Sequence, residues 1–471
     1  MRIFLANPPT ADDSRFTREG RCQQSEGVWT TVWPPLSLAQ SAAVLRDAGF
    51  EVRAADAPTQ GWNLSEFLDH LVAAGPQLVV LATSTPSFPQ DVLTIEEIRR
   101  VLPDAVIAAI GIHVSVLPED SFAHAPSLDA IIRGEPEFSL RDLAESLNIR
   151  GAIEPRAGIS VRRDGKIEHG PDRDYIDDLN TLPFPAWDLF PVTEYRLPFV
   201  GRPFLLLTTA RGCPYQCTFC VAKSYYGQKV RRRSTQRIIE EIQWAGERFG
   251  IRDFFFWSES TTIGRTPMLE LCQEVRKLSP PVHWVCNSRV DHVDDELLAT
   301  MRAAGCWMLS FGIESANQGI LDRSMKKQTV EQTRIAVALA RKHRFQIAGH
   351  FVLGLPGDTK ETLAETLELA LDLDLDYAQF YCAAPWPGSD LYQEARASGW
   401  IDNHGWASFD QSHAILNYPH LSAEDIQSFR DHAVKTFYLR PKLIARTVTR
   451  FRKPSEAWRF LKAVRRYLSW I

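Results

Sequence analysis

No run of eighteen consecutive apolar residues occurs in the 471-residue sequence, so no segment reads as a membrane-spanning helix. The start, MRIFLANPPTADD, turns polar too soon for the apolar core of a secretory signal. With no targeting segment legible, the expected location is the cytoplasm. Cysteine is sparse, eight residues in the whole chain, which does not resemble the disulfide framework of a small secreted domain. Positive charge is not in excess: the formal net charge is -5, which excludes a globally basic nucleic-acid coat, and no recognition module accompanies it. No nucleic-acid partner is expected. Neither a glycine-rich dinucleotide fingerprint nor a P-loop follows any of the early strand candidates.

What is present is apolar material for large cores, 45% hydrophobic residues with 13 Trp, in a chain long enough for two or three domains. Over residues 1–149 short apolar runs alternate with helical spacing. Strands are expected at 2–6, 50–56, 78–84, 106–111 and 129–134, with helices at 35–49, 91–102 and 136–147. This predicts an α/β domain with a doubly wound parallel sheet, whose ligand would sit beyond the C-terminal strand ends. A long insertion at 10–34, carrying Cys22, Trp29 and Trp33, is placed to overhang such a ligand. Residues 150–200 contain a hairpin around Asp164-Gly165 and a proline-rich aromatic stretch, and read as an ordered connector.

The stretch TTARGCPYQCTFCVAK places Cys213, Cys217 and Cys220 at C-x3-C-x2-C spacing. Three thiolates on one loop suit three irons of a [4Fe-4S] cube and leave the fourth open to a ligand. Zinc with a distant fourth ligand, or cysteines together by chance, remain the alternatives on spacing alone. The loop follows a strand expected at 204–209 and precedes a helix from Thr235. Strands at 253–257, 283–288, 307–315, 346–354 and 377–385 then alternate with helices. Six strand-helix units over 201–390 predict a partial (β/α)6 barrel with chemistry at its C-terminal rim. A mostly helical region, 391–471, follows.

In this setting the chain resembles the radical S-adenosylmethionine superfamily, and within it the cobalamin-binding branch, over about residues 1–390. The resemblance implies that Cys213, Cys217 and Cys220 hold [4Fe-4S], with S-adenosylmethionine chelating the fourth iron. It further implies cofactor contacts from Glu259, from Asn287 and Arg289 in CNSRVD, and from Ser310, Gly312 and Glu314 in SFGIES. Gly354 and Gly357, in GHFVLGLPGDTKE, resemble the motif whose exposed backbone meets adenine, while Asp358 and Glu361 also suit a helix capping box. Cys272, Cys286, Cys306 and Cys382 read as packed side chains.

The first domain looks like the family's cobalamin-binding domain. The histidine of the D-x-H-x-x-G motif is replaced: the matching place reads Asp56-Ala57-Pro58-Thr59-Gln60-Gly61, and proline cannot ligate cobalt. Corrinoid contact is therefore expected from the loop at 83–89, with Thr83, Ser84 and Thr85, and from the neighbourhood of His113. The implied reaction is C-methylation of an unactivated carbon, through a 5'-deoxyadenosyl radical and methylcobalamin. A radical cyclisation or rearrangement is the alternative, and a non-catalytic iron-sulfur electron carrier is a third. No catalytic acid, base or hydrogen donor is legible. The expected partners are a small-molecule substrate and an external low-potential electron donor.

The last segment places Trp458, Leu461, Val464, Leu468 and Ile471 at helical spacing, amid ten Lys or Arg residues and one acid from Arg440 onward. This basic amphipathic tail suits closure of the barrel, or contact with the inner face of a membrane and a lipid-like substrate. Lys229 to Arg233 form another basic run, read either as an anion contact or as a solvated surface.

Overall fold

The computed structural model describes residues 1–20, 22–25, 32–197, 201–401 and 405–448. Trp29 and the basic segment at 455–471 lie outside the described residues, as does the side chain of Cys22. No described helix is long and apolar enough to cross a membrane.

The first unit holds β1 (Arg2–Asn7), a small hairpin β2 (Phe16–Glu19) and β3 (Cys22–Ser25), then β4 (Glu51–Asp56), β5 (Leu78–Ala82), β6 (Val106–Ile110) and β7 (Ala130–Ile132). These are followed by β8 (Ile159–Arg163) and β9 (Lys166–His169). The seven-stranded sheet runs β4-β1-β5-β6-β7-β8-β9. Its first five strands are parallel, and along the chain their order is 2-1-3-4-5, which puts the topological switch point between β1 and β5. Continuous apolar runs make the inner strands: LVVLA of β5 is buried at every position, as befits a strand covered on both faces, whereas the edge strand β4 alternates.

Two sequence expectations are corrected here. The hairpin at 159–169 belongs to this sheet and not to a separate connector, because β8 pairs antiparallel with β7, Ala130 opposite Val161. The sheet is thus mixed. Asp164 and Gly165 both take positive φ, 51° and 74°, the turn that matches strand twist. A helix at Leu64–Ala74, unread in the sequence, supplies the β4 to β5 crossover, capped by Asn63 and Glu66. The rest of the connector is ordered as expected. Trp187, Phe190 and Tyr195 lie in one apolar cluster that runs from Ile3 and Leu5 of β1 into the second unit.

The second unit holds β10 (Phe204–Thr208), a two-residue ladder of β11 (Ala210–Arg211) with β12 (Arg231–Arg232), then β13 (Asp253–Trp257) and β14 (His283–Ser288). It continues with β15 (Cys306–Glu314), β16 (Gln346–Leu353) and β17 (Tyr377–Cys382). The six long strands lie side by side in chain order, all parallel, an open barrel with helices outside. Side-chain caps at Ser234, Asp294, Thr329 and Thr359 start the helices that follow β10, β14, β15 and β16. The helix Ala423–Tyr438 closes the free edge: the Tyr438 hydroxyl accepts from the Ala378 N–H at 3.1 Å and donates to its carbonyl at 2.8 Å. The C-terminal region therefore packs on the barrel.

Candidate active site

The cysteine loop is pinned at both ends. Its flanking ladder carries Arg211 and Arg231, and both reach into the first unit. Arg211 donates to Glu135 at 3.1 Å and Glu137 at 2.5 Å, and Arg231 donates to Glu135 at 2.8 Å, with all four side chains buried. Gly212 follows with φ 95°, and a Cβ there would lie 2.2 Å from the Lys229 carbonyl, so only glycine passes. Inside the loop the Cys213 N–H donates to Gly227, the Thr218 N–H to Ser324 and the Cys220 N–H to the Cys217 carbonyl. The sequence reading of Lys229 to Arg233 as a solvated surface holds at Lys229, exposed beside Asp177, and is corrected at Arg231 and Arg233, which are buried in ion pairs, the latter with Glu241 at 2.6 Å.

The three cysteines are half-buried. Among the described residues no three His, Cys, Asp or Glu side chains converge on one metal position. The donor set nevertheless fits an iron-sulfur cube in type and spacing, three thiols on one anchored loop. Burial pushes the Cys217 thiol up to about 11, against the pull of Lys326, so it needs a metal to persist as thiolate at neutral pH. The other cysteines, Cys272, Cys286, Cys306 and Cys382, are buried, as expected of packing residues.

Cys220 opens onto a cavity of about 320 Å³ inside the barrel. Glu259, Asn287, Arg289, Ser310, Gly312 and Glu314, all singled out from sequence, line the same space. The structure brings these six together from the ends of β13, β14 and β15. Their partners refine the expectations. Arg289 lies flat against Tyr215, its charge centre 3.7 Å from the ring centroid. It bonds Asp291 through Nε at 2.8 Å and the Lys326 carbonyl through Nη2 at 2.7 Å. Much of its fork is thus committed within the protein. Lys326, which the sequence reading passed over, pairs with Glu314 at 2.5 Å, both buried. A Cβ on Gly312 would fall 2.6 Å from that carboxylate and 2.9 Å from the ammonium, so Gly312 admits the ion pair. Glu314 itself holds φ 68°, backbone strain of the kind that collects at functional sites.

Gly354 and Gly357 do not line this cavity. The Gly354 N–H donates to Asp358 at 3.0 Å, its carbonyl accepts from Tyr418 at 2.8 Å, and its missing Cβ would lie 2.7 Å from Ile426. At Gly354 the expected exposed backbone is taken up by the C-terminal region, whereas Gly357 is exposed. The capping box is formed by Thr359 and Thr362, one residue beyond the expected pair, because Asp358 is turned back to Gly354 and Leu355.

At the strand ends of the first unit, hairpin β2–β3 lies across the switch point. Arg18 bonds Asn7 at 2.8 Å, Ser87 at 3.1 Å and Asp91 at 2.8 Å, all within the protein. The expected corrinoid loop is engaged too: Thr83 donates to Ile110 at 2.9 Å, Ser84 pairs with Ser87 at 2.8 Å and Thr85 donates to Gln23 at 2.9 Å. Asp56 accepts from Asn7, Thr59 and Tyr195, which ties the motif lacking histidine to the connector. His113 is fully buried against Phe88 and Trp406, and neither ring nitrogen has a partner. Burial lowers its pKa to about 3, so the ring is neutral. Gln23 Nε2 and Thr17 Oγ1 are likewise buried without a partner, and donors and hydroxyls of this kind fit the amide-rich edge of a corrinoid. Gln24 and Trp33, from this same overhang, line the barrel cavity, so the strand-end loops of both units meet there.

Sequence reasoning also missed His350, Gln379 and Tyr381, which line the cavity. The available signal was period-two alternation: in YAQFYC the residues Tyr377, Gln379 and Tyr381 face inward while Ala378, Phe380 and Cys382 are buried behind them.

Comparison with known proteins bears on the whole chain. The family model described as B12 binding domain matches residues 27–144, and that of the Radical SAM superfamily matches residues 207–370. An uncharacterized methyltransferase of Pyrococcus horikoshii is 30% identical over 449 residues, 95% of each chain. The anaerobic magnesium-protoporphyrin IX monomethyl ester cyclase of Rubrivivax gelatinosus is 30% identical over 77% of this chain and 66% of its own. Among solved structures, a radical S-adenosylmethionine methyltransferase from Kitasatospora setae, with cobalamin and [4Fe-4S] cluster bound, aligns with TM-score 0.66. It shares 18% identity over 84% of this chain and 75% of that one, so it speaks for the fold. With an anchored C-x3-C-x2-C loop opening into an open parallel barrel, behind a sheet of order 2-1-3-4-5, the chain belongs to the cobalamin-binding radical S-adenosylmethionine enzymes.

Proposed function

We propose that this enzyme is a cobalamin-dependent C-methyltransferase acting on an unactivated carbon of a small molecule. The observation that carries it is the shared cavity: the cysteine loop, the polar ends of β13 to β15 and the overhang of the first unit all border one space. When bound, the cluster with S-adenosylmethionine supplies a carbon-centred radical, and cobalamin supplies a transferable methyl group.

In this reading Cys213, Cys217 and Cys220 hold the cluster. Glu259 accepts from the ammonium end of S-adenosylmethionine, a charge-assisted contact. Lys326, oriented by Glu314, faces its carboxylate end, and Asn287 and Ser310 meet hydroxyls. Arg289, held by Asp291 and stacked on Tyr215, stiffens the wall beside them. In the first unit His113, Gln23 and the loop of Thr83 to Thr85 would border the corrinoid when bound, and Pro58 would offer it no ligand. An external low-potential donor supplies the reducing electron.

The likeness to the cyclase favours a second reading, radical ring closure on the same scaffold. Anaerobic reconstitution, iron and corrinoid analysis, and product mass decide between them. Methyl transfer adds one CH2 to the substrate mass, whereas ring closure without methylation does not. A preparation that binds four irons and cleaves S-adenosylmethionine yet never adds a methyl to any product overturns the first reading.

A further inference from the structure

The inward-facing side chains of the barrel stack in layers, and strand register orders them. The lowest layer in the cavity joins Phe255 of β13, Val285 of β14 and Met308 of β15. The next joins Asn287, Ser310, Ala348 and Tyr377, and the one above it Gly312, His350 and Gln379. Among the described residues four charged side chains line the cavity, and all enter from the level of Gly312 upward. Glu259 and Arg289 follow the ends of β13 and β14, Glu314 ends β15, and Lys326 is paired to it. Met308 lies four residues before Gly312 on the same strand, about 13 Å, so the charge stops well short of the floor.

Phe204, Trp307 and Trp33 complete that floor. The register passes from Trp284 opposite Cys306 to Val285 opposite Met308, so β15 carries one extra residue there, and Trp307 and Met308 both border the cavity. Trp33 reaches in from the first unit and packs edge-on against Phe204 and Phe255, with ring centroids 6.3 and 5.1 Å away. The six floor side chains carry no charge and, apart from two indole N–H groups, no nitrogen or oxygen. Ala348, in the layer between floor and rim, is small and lines the same space.

We propose that the substrate carries an uncharged hydrocarbon arm, which enters this floor beneath the charged rim. The inference rests on the reading that substrate meets the cofactors in this cavity. Removing hydrocarbon from water into an apolar, aromatic layer is favourable in proportion to the area covered. An ionised group on the arm would lose its water there, with no charged side chain in the floor layer to receive it.

The test is calorimetric titration of the reconstituted protein, with S-adenosylmethionine present, using 1-butanol, 1-hexanol, 1-octanol and suberate. Suberate matches 1-octanol in chain length and bears a carboxylate at either end, so it cannot enter the floor without burying charge. The expected result is affinity rising about fourfold for each methylene added from 1-butanol to 1-octanol, the worth of burying it, with suberate at least about tenfold weaker than 1-octanol. Val285→Phe fills the floor and Ala348→Leu fills its approach, neither removing a polar side chain, and each should cut 1-octanol affinity about tenfold. Ala348→Leu decides the matter if Val285→Phe fails to fold. A rise of about twofold or less per methylene, suberate binding as tightly as 1-octanol, or 1-octanol affinity unchanged in a folded variant overturns the inference. The electron paramagnetic resonance spectrum of the reduced cluster is recorded in the same samples. A spectrum unmoved by S-adenosylmethionine sinks the radical reading, whereas a shifted spectrum with a flat chain-length series sinks only the substrate assignment.

Discussion

The two units obey one architectural rule and use it differently. Both gather polar residues at the carboxyl ends of parallel strands, the expected place for a ligand. In the first unit most of those residues spend their hydrogen bonds on one another, Arg18 on Asn7, Ser87 and Asp91, Thr83 on Ile110 and Thr85 on Gln23, while His113, Gln23 Nε2 and Thr17 Oγ1 are left over. The cavity beneath hairpin β2–β3 is about 20 Å³. In the barrel the corresponding residues line 320 Å³. The difference teaches that strand-end polarity alone does not make a reaction chamber. What matters is whether inward-facing strand positions are filled, and in β15 to β17 Gly312, Ala348 and the half-buried Gln379 leave room.

The strongest way to break this comparison is at the cysteine loop. Alanine at Cys213, Cys217 or Cys220 should abolish S-adenosylmethionine cleavage and lower iron content, with circular dichroism unchanged, while corrinoid retention by the first unit survives. Next comes the joint between the units. Arg211→Ala strands Glu137 without its buried partner and should cost about 3–5 kcal/mol of stability, read by denaturant unfolding. The stranded carboxylate lies in the first unit and the lost partner in the barrel, so the transitions of both units should move together.

A smaller contrast sets glycine against glycine. Gly111 has φ 128°, and an added Cβ would meet the Thr83 backbone carbonyl at 2.2 Å. Gly111→Ala should cost at least about 2 kcal/mol. Gly312→Ala meets the side-chain ends of the buried Glu314–Lys326 pair, which must shift, and should cost about 1–2 kcal/mol while weakening S-adenosylmethionine binding about tenfold, measured by equilibrium dialysis.

A last contrast is in pH dependence. Burial raises the Glu19 carboxyl from 4.5 to about 7, against its bonds from Ser37. The folded state holds that proton more tightly, so Glu19 favours folding fully below pH 4.5, and the contribution is lost as pH rises through 7. His113 has the opposite sign: its ring stays neutral down to about 3, so its contribution is present above 6.5 and lost as pH falls. Glu19→Gln should therefore make the protein more acid-sensitive between pH 4.5 and 6.5, seen as a steeper fall in melting temperature.

Much of this was legible in local sequence. Apolar runs located the parallel strands of both units within about three residues, since burial on both faces of a parallel sheet requires unbroken apolar stretches, whereas the polar hairpin β2–β3 and the short ladder β11–β12 were not read. Cysteine spacing located the cluster loop. The helix at Leu64–Ala74 was not read, and the hairpin at 159–169 was read as a hairpin but not as part of the sheet, because edge pairing depends on what lies beside it. Glu259, Asn287, Arg289, Ser310, Gly312 and Glu314 were found by motif, yet their partners were not. Lys326, His350, Gln379 and Tyr381 carry no motif; they matter through strand register and a shared cavity.

By itself the sequence determined the element order, the parallel architecture and the thiol trio, all of which follow from spacing over a few residues. Tertiary structure alone decided which polar groups stay available for chemistry. Arg211 and Arg231 are consumed by Glu135 and Glu137, some 74 to 96 residues away, and Gly354 by Tyr418, 64 residues on. The physical reason is that a buried donor or acceptor must be satisfied by whatever the fold brings within 3 Å or so, and that neighbour is set by packing, not by the local chain.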